Sequence, residues 1–448
     1  MATAISKLLT YLTKPTSIAP LVIFRIAFGA LLFLSTLRFI LKGWVTQLYV
    51  TPKFYFPYYG FEWIKPFSEQ GMYALFAVLL LCAVLIILGL FYRIAITLFF
   101  LLFTYVELID KTNYLNHYYF VSIICFILMF VPANKAFSLD NKWLKNQEQT
   151  TTPQFYILII QLQLFLVYFF AGVAKLNYDW LIEAQPLKLW LPAFSHFYII
   201  GSYLEKDWVA YLFCWFGCLY DLSIGFLLFN KRTVKLAYIF VLIFHFATAL
   251  FFNIGMFPYV MIVITIIFFK TETHEMLLSQ LKKITFYNNK SVSPNTSITL
   301  KPLLIGIFSV YFLIQCITPF RYLLYDGDLF WTEQGYRFSW RVMLMEKAGA
   351  AFFYVKDSKT NKEIEIDNKQ YLTYMQEKQM STQPDMMIDY AKFLKKEFEA
   401  KGFVNPKVRA QSYVTLNGKG SKEMVIDTVD LSMESNSFFK NKTWIKKY

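Results

Sequence analysis

Eight ionisable side chains lie inside or at the ends of long apolar segments of this 448-residue chain. Such groups are unfavourable in lipid, and where they occur they commonly relay protons or bind polar substrates. They are Arg25, Arg38, Glu107, Asp110, His117, Lys175, Asp221 and His245. Lysine, histidine and aspartate act as general acids and bases. The set therefore predicts proton-transfer chemistry at a membrane.

Lys175 is the strongest candidate for a catalytic base. The preceding segment 165–174 carries no charge, and the polar residues nearest in sequence are Asn177 and Asp179. Because burial disfavours the ammonium form of lysine, we expect Lys175 to present a free amine that acts as a general base. The alternative is that its side chain extends to the lipid head groups.

The other candidates also have structural interpretations. His117 follows Asn116 and suits a donor at the start of a helix, and His245 suits a packing histidine. Arg25 lies well inside the first apolar segment, so an ion pair with an acid such as Asp221 would stabilise it. We interpret Arg25, Asp110 and Asp221 as structural residues.

The composition identifies the solvent that these residues meet. The chain is 57% hydrophobic, 20% aromatic and 17% charged, with a mean hydropathy of +0.42, whereas an average soluble domain is about 45–50% apolar and 25% charged. Residues 320–448 contribute only +4 of the net charge of +14, so most of the excess belongs to membrane loops. These features argue against soluble enzymes, disordered proteins and nucleic-acid-binding proteins, and we expect no nucleic acid partner.

Apolar runs predict about nine membrane-spanning helices. They lie near residues 18–42, 71–91, 94–110, 117–133, 153–175, 207–229, 235–253, 255–270 and 300–318. With the N-terminus in the cytoplasm, fourteen lysines and arginines fall in cytoplasmic loops and seven on the opposite side. This asymmetry predicts that the C-terminal region is extracytoplasmic.

The C-terminal region has the pattern of a small α+β domain. Alternation over Phe352–Lys356 and Glu363–Ile366 predicts a hairpin, and Asp385–Lys401 predicts an amphipathic helix that ends at Gly402. A second hairpin is predicted from Val408–Leu416 and Glu423–Val429. We divide the chain into a helical membrane domain, 1–318, and an extracytoplasmic domain, 319–448.

This topology brings several polar residues to one membrane depth. Asp110, His117 and Lys175 lie near the outer ends of three predicted spans, and His245 precedes a turn on the same side. Separate helices therefore place polar groups together beneath the external domain. This arrangement predicts a site at the outer membrane edge.

Several segments, in consistent order along nearly the whole chain, resemble one family. They are Ile23-Phe-Arg-Ile-Ala-Phe-Gly29, Asp110-Lys-Thr112 with Asn116-His117, Val167-Tyr-Phe-Phe-Ala-Gly172 with Lys175-Leu176, Asp221-Leu-Ser-Ile-Gly225, Ile254-Gly-Met-Phe-Pro-Tyr-Val260, and Tyr336 with Ser339-Trp340. Together they resemble the vitamin K-dependent gamma-glutamyl carboxylases, in a short form typical of bacteria with a membrane domain of the HTTM type.

The resemblance implies an enzyme that couples two reactions. Oxygenation of vitamin K hydroquinone, or of menaquinol, to the epoxide by O2 drives the carboxylation of peptidyl glutamate by CO2, without a metal. The base of the family falls on Lys175, and a second catalytic residue falls on His117. Asn116, Tyr336 and Trp340 fall on substrate-binding positions. Implied partners are a glutamate-containing polypeptide, membrane lipid and a quinone reductase that recycles the cofactor.

The turn after His245 supplies the predicted quinone pocket. His245, Asn253, Met256 and Tyr259 are its expected lining residues. An apolar cavity there would exclude water from a strong base. The resemblance also implies a multi-pass protein of the bacterial inner membrane whose active site faces outward.

The sequence departs from the animal enzymes at two features. Position 174 is alanine where those enzymes have a second lysine, and the external region has no cysteine for their disulfide. Two alternatives therefore stay open. One is a quinol epoxidase that does not carboxylate peptides, and the other, from a different class, is a proton-coupled transporter or a quinone-binding subunit.

Overall fold

The computed structural model describes residues 2–143, 147–252, 254–285, 287, 292–293 and 299–448. Nine apolar helices within these ranges coincide with the nine predicted spans. They are α1 (Ala19–Leu41), α2 (Glu69–Leu88), α3 (Tyr92–Ile109), α4 (Asn116–Leu128), α5 (Phe155–Ala174), α6 (Asp207–Phe229), α7 (Val234–Phe251), α8 (Phe257–Thr265) and α9 (Pro302–Ile317). The chain is a polytopic helical membrane protein.

Seven of these helices are long and apolar enough to cross a membrane in the described part of the chain, and α4 and α8 are shorter. Helix α4 has 13 residues, or about 20 Å at 1.5 Å per residue, which is less than the roughly 30 Å of a hydrocarbon core. The segment of α8 extends only to Phe268 through a 3-10 turn. The predicted spans 117–133 and 255–270 are thus helical but short.

Shorter helices and strands lie before, between and after the membrane helices. The helices are Ala2–Thr13, Trp44–Tyr49, Leu139–Trp143, Tyr178–Leu181, Leu187–Trp190, Gly201–Leu204, Thr271–Ile284 and Leu329–Thr332. Pro15–Ser17 pairs antiparallel with Thr151–Pro153, and Glu148–Gln149 pairs parallel with Val292–Ser293.

The close approach of α5 and α6 depends on Gly172. A Cβ atom at this position would lie 2.7 Å from the backbone nitrogen of Leu222. Small residues permit such contact between membrane helices. This packing sets the C-terminal end of α5, where Lys175 lies, beside Asp221 of α6.

The external domain is built on one antiparallel sheet. Its strands are β1 (Lys347–Lys356), β2 (Glu363–Ile366), β3 (Lys407–Leu416) and β4 (Lys422–Glu423), in the order β2-β1-β3-β4. The predicted first hairpin is confirmed, with Phe353 opposite Ile366 and Lys356 opposite Glu363. The second predicted strand, Glu423–Val429, was too long, because only Lys422 and Glu423 pair with β3.

Two helices cover the sheet and connect it to the membrane domain. Helix α10 (Tyr374–Met380) begins at a capping box formed by Thr373 and Gln376, and α11 (Pro384–Ala400) confirms the predicted amphipathic helix. The Gln376 side chain also donates to the Phe54 carbonyl at 2.7 Å and to Asp110 at 2.8 Å. The start of α10 is therefore bonded to the outer loops of the membrane domain.

The turn after β3 also docks on the membrane domain. Asn417 donates to Asp179 at 2.7 Å, and Lys419 forms ion pairs with Asp179 at 3.1 Å and with Glu183 at 2.9 Å. Apolar residues near the outer helix ends, including Trp180 and Phe251, belong to the same buried cluster as the core of the external sheet. The two regions thus share one core at the membrane edge.

Candidate active site

A cavity of about 360 Å³ lies between α5, α6, α7 and the start of α8. Its volume falls in the range of roughly 300–1,000 Å³ that is typical of small-molecule sites. The lining is mainly apolar and aromatic. It includes Val167, Tyr168, Ala171, Lys175, Trp180, Trp190, Phe213, Gly217, Asp221, Phe244, His245, Phe251, Phe252, Ile254, Phe257, Met261, Val342 and Met343.

Lys175 and Asp221 form a buried ion pair on the cavity wall. The Lys175 ammonium donates to Asp221 Oδ2 at 2.6 Å, and the two residues are 6% and 5% exposed. The Ala171 carbonyl lies 3.4 Å from Lys175 Nζ, and the ring of Trp180 lies 5.4 Å away. A charged pair therefore lies inside an otherwise apolar site.

This pairing identifies the acid beside Lys175 and corrects one expectation, the partner of Arg25. The acid beside Lys175 is Asp221, 46 positions along the chain, and not the nearby Asp179, which binds Asn417 and Lys419. The expectation that Arg25 pairs with Asp221 was wrong, because Asp221 forms its ion pair with Lys175. Arg25 is fully buried and donates instead to the Phe137 carbonyl at 2.6 Å.

His245 and Tyr168 supply the second polar group of the cavity. The Tyr168 hydroxyl lies 3.1 Å from His245 Nε2 and 3.5 Å from Thr265 Oγ1. His245 is 1% exposed, and its Nδ1 atom has no hydrogen-bond partner among the described residues. In either neutral tautomer this atom is a donor or an acceptor, and a buried polar atom of this kind is suited to a ligand that completes its hydrogen bonding.

His117 lies behind the cavity wall. Its ring contacts Tyr118 and Phe257, with a centroid distance of 5.9 Å to Phe257. The ring of Phe257 also contacts His245, at a centroid distance of 5.8 Å. Phe257 thus contacts both histidines, and His117 is buried at 6% exposure.

The external segment 336–343 forms the outer part of the site. Asn116 donates to the Arg341 carbonyl at 2.8 Å. Trp340 is 1% exposed and stacks on Tyr119 at 5.0 Å, so it anchors the segment on α4. The half-buried Tyr336 packs against Phe330. It is Val342 and Met343, which the sequence interpretation missed, that line the cavity.

The predicted quinone turn contributes different residues from those expected. Tyr259 is 47% exposed, because residues 257 and 261 of α8 face the cavity and position 259 lies on the opposite face. Met256 packs in the membrane core next to this turn without lining the cavity. Asn253 lies outside the described residues.

Asp110 is part of the joint between the two regions. It accepts hydrogen bonds from the Thr112 amide at 2.9 Å and from Gln376 at 2.8 Å, and the Phe56 amide is 3.4 Å away. Its pKa is raised because burial outweighs these hydrogen bonds. Through these contacts Asp110 holds the start of α10 against the loop that contains Phe56, at the outer membrane edge.

The sequence interpretation missed the aromatic wall as well. Trp180 donates from Nε1 to the Cys214 carbonyl at 2.8 Å, and Trp190 donates to Glu346 at 2.9 Å. Both rings are held by polar anchors while their apolar faces meet the cavity. One sequence signal could have identified Trp180, which lies only five residues after Lys175. The short helix Tyr178–Leu181 turns the chain so that the Trp180 ring lies near the lysine.

Comparison with known families assigns both parts of the chain. Residues 13–272 match the HTTM domain, and residues 300–448 match the lumenal domain of vitamin K-dependent gamma-carboxylase. No solved structure matches the chain. A lumenal-domain match fits a C-terminal region outside the cytoplasm. Because the first match covers more than half of the chain and the second covers the external region, the chain belongs to the vitamin K-dependent gamma-glutamyl carboxylase family.

Proposed function

We propose that this protein couples the oxygenation of vitamin K hydroquinone to the epoxide with the carboxylation of peptidyl glutamate by CO2. The observation that carries this proposal is the buried Lys175–Asp221 pair, which lies on the wall of an apolar cavity at the outer membrane edge. A lipid-soluble quinol enters such a site from the membrane, and a peptide enters from water.

The residues of the cavity fit reduced vitamin K. Phe251, Phe252 and Trp190 supply apolar surface for a fused ring, and the unpartnered Nδ1 atom of His245 supplies a hydrogen bond to a ring oxygen. When it is bound and oxygenated, the reduced vitamin supplies the strong base that removes the γ-proton of glutamate. We propose the same cavity for menaquinol.

Lys175 and Asp221 act as one proton-accepting unit in this proposal. The pair is held at 2.6 Å, so a proton accepted by the carboxylate leaves the Lys175 ammonium beside the new negative charge on the quinol oxygen. Opposite charges stabilise each other more strongly in a low-dielectric site than in water. The aromatic wall excludes water that would quench a strong base.

The external segment presents the glutamate. Val342 and Met343 reach the cavity from the external domain, while Asn116 and Trp340 hold the same segment against α4. His117 lies within one ring of the cavity and is proposed to move a proton there. We propose that the protein lies in a bacterial inner membrane. A quinone reductase in the same membrane is proposed to return the vitamin to its reduced form.

The coupled reaction is tested with the purified 448-residue chain in nanodiscs. The protein receives reduced vitamin K, O2, labelled CO2 and a short glutamate-containing peptide, and the epoxide and fixed label are measured separately. Both products are expected. Epoxide without fixed label would replace this proposal with a quinol epoxidase, and the absence of both products from folded protein would contradict it.

A substitution at His245 tests the quinone site. His245→Leu removes the unpartnered Nδ1 atom and the Tyr168 contact, and loss of about one hydrogen bond predicts roughly tenfold weaker binding of reduced vitamin K. Quenching of the fluorescence of Trp180 and Trp190, which line the cavity, measures this affinity. The matched control is His196→Leu, since His196 is exposed and does not line the cavity. Equal affinities for the two variants would remove His245 from the site.

A further inference from the structure

One edge of the external sheet is open over more than half of its longest strand. Strand β1 pairs with β3 through all ten of its residues, from Lys347 to Lys356. On its other side it pairs with β2 only from Phe353 to Lys356. Within the described ranges, Lys347–Phe352 therefore has a strand partner on one side only. An edge of this kind is a template for another extended chain.

Backbone direction identifies the groups on this open side. The Asn417 amide donates to the Glu346 carbonyl at 2.8 Å, and the Glu346 amide donates to the side-chain Oδ1 of Asn417 at 2.9 Å. Residue 346 thus faces the end of β3, and by antiparallel alternation residues 348, 350 and 352 also face β3. Lys347, Gly349 and Ala351 then direct their backbone N–H and C=O groups to the open side. The Asn368 side chain confirms this direction, because it donates to the Ala351 carbonyl at 2.9 Å.

A groove follows this edge and contains an unsatisfied acceptor. The open groove, of about 660 Å³, lies between Ala348–Phe352, the end of β2 and helix α10. Small exposed residues, Ala348, Gly349 and Ala350, leave the backbone accessible. Asn368 is only 6% exposed, and its Oδ1 atom has no hydrogen-bond partner in the part of the chain that the structure describes. A backbone N–H of an added strand would satisfy it.

The charge of the groove favours a basic occupant. Three acidic residues line it, Glu365, Asp367 and Glu377, against one basic residue, Lys378. The local excess of negative charge attracts a cationic segment and repels an acidic one. The groove therefore favours a positively charged segment, whereas the cavity is proposed to receive an acidic residue, glutamate.

We propose that the open edge of β1, Lys347–Ala351, binds an extended basic segment of the polypeptide substrate as an added β-strand. Binding of this kind derives its affinity from main-chain hydrogen bonds and its selectivity from the side chains of the groove. The proposal rests on the proposed function in one respect, that the bound polypeptide is the substrate for carboxylation.

The position of the edge connects it to the cavity. Strand β1 begins four residues after Met343 of the cavity wall, a distance of about 14 Å at most for an extended chain. Glu346, which precedes β1, also accepts the hydrogen bond from Trp190 of the same wall. A strand bound at the edge thus leaves the next few residues of its chain close to the outer wall of the cavity.

The first experiment measures strand addition on the unmodified 448-residue protein in nanodiscs. The probe is a fluorescein-labelled decapeptide of five Val-Lys repeats, and its partner is the same peptide with its four central amides N-methylated. Both have the same side chains and charge, but the methylated peptide cannot donate at its centre. At least tenfold weaker binding of the methylated peptide is expected. Equal binding of the two peptides overturns the proposal.

The second experiment changes the charge of the groove. Glu365→Lys with Glu377→Lys is expected to weaken binding of the Val-Lys peptide at least tenfold. The matched control, Glu397→Lys with Glu399→Lys, makes the same change in charge on α11 outside the groove and is expected to stay within twofold of wild type. Equal losses in both double variants mean that total charge, and not the groove, binds the peptide, and overturn the proposal.

These measurements are independent of the carboxylation reaction. They use neither quinol nor CO2. If the protein binds the peptide but fixes no CO2, the proposed function is contradicted and the proposed edge site is supported. If the protein fixes CO2 but binds both peptides equally, the proposed function is supported and the proposed edge site is contradicted. Thermal unfolding of each variant verifies that it is folded, and the comparison of the two peptides on wild type needs no variant.

Discussion

Replacing Lys175 with alanine is expected to reduce the formation of vitamin K epoxide by a factor of about 10²–10⁴, the usual contribution of a positioned general acid or base. The physical reason is that the proposed reaction uses the Lys175–Asp221 pair, held at 2.6 Å, to accept the proton of the quinol. Fixed CO2 should fall in parallel, because in the proposed reaction carboxylation depends on the base that oxygenation supplies. Binding of reduced vitamin K should persist, since the apolar wall of the cavity is unchanged.

The single variant also leaves Asp221 buried without its partner. Breaking a buried ion pair from one side costs about 3–5 kcal/mol, so loss of activity alone would not separate catalysis from folding. Lys175→Met combined with Asp221→Leu removes both charges and retains side-chain volume. Its free energy of unfolding should return toward wild type, while epoxide formation stays low. Recovery of activity together with stability would remove the pair from the mechanism.

A matched control is available at the same membrane face. Lys188 and Asp207 form an ion pair at 3.2 Å in which Asp207 is 77% exposed. Lys188→Met with Asp207→Leu makes the same chemical change at a pair whose acid is exposed. The free energy of unfolding should change there by only about 0–1 kcal/mol. Its rate of epoxide formation should be that of wild type. His117→Ala is a separate test of the proposed proton movement, and full activity there would exclude that role.

The second large effect is expected at Asp385, in the joint between the membrane and external domains. Lys111 lies 2.8 Å from Asp385 and 2.5 Å from Asp389, and Arg337 lies 2.7 Å from Asp385. Lys111 is 4% exposed. Asp385→Asn leaves Lys111 and Arg337 with less negative charge in a poorly hydrated site, so the free energy of unfolding should fall by roughly 3 kcal/mol.

This effect depends on pH in a defined direction. Burial opposes ionisation of Asp385, but Arg337 and Lys111 outweigh burial and hold its pKa well below the usual value. A lowered folded-state pKa gives stability that is complete above the unfolded pKa of about 3.9 and is lost as the pH falls below it. The difference in stability between wild type and Asp385→Asn should therefore be constant from pH 5 to 8 and shrink below about pH 4.

Thermal unfolding in detergent, monitored by tryptophan fluorescence, measures this difference. The control is Glu434→Gln, because Glu434 pairs at 3.0 Å with Lys440, which is 53% exposed, and exposed pairs contribute at most about 1 kcal/mol. Similar losses in the two variants would mean that the joint at Asp385 contributes no more than a surface pair.

Much of the fold could be predicted because its signals are local. Nine apolar segments were found from hydropathy, and the helix Pro384–Ala400 and the first hairpin were found from their periodicity. The errors also have local causes. The segments that became α4 and α8 continue as apolar chain beyond the helix ends, so composition overestimated their length.

Part of the candidate site was also accessible from sequence. Lys175, Asp221 and His245 were found as ionisable residues in apolar segments, and all three line one cavity. Tyr259 does not line this cavity, and its position could not be predicted because a sequence motif does not state which face of a helix its residues occupy. The half-turn between Phe257 and Tyr259 separates a cavity residue from an exposed one.

The sequence by itself determined the solvent of each segment, the order of the elements and the residue types available for proton transfer, because hydropathy and periodicity depend on near neighbours. Only the tertiary structure decided that Asp221, and not Asp179, pairs with Lys175. It likewise decided that Val342, Met343 and Trp190 close the cavity, and that β1 keeps an open edge. These features depend on contacts between residues far apart in the chain, and helix packing at Gly172 and strand pairing bring those residues together.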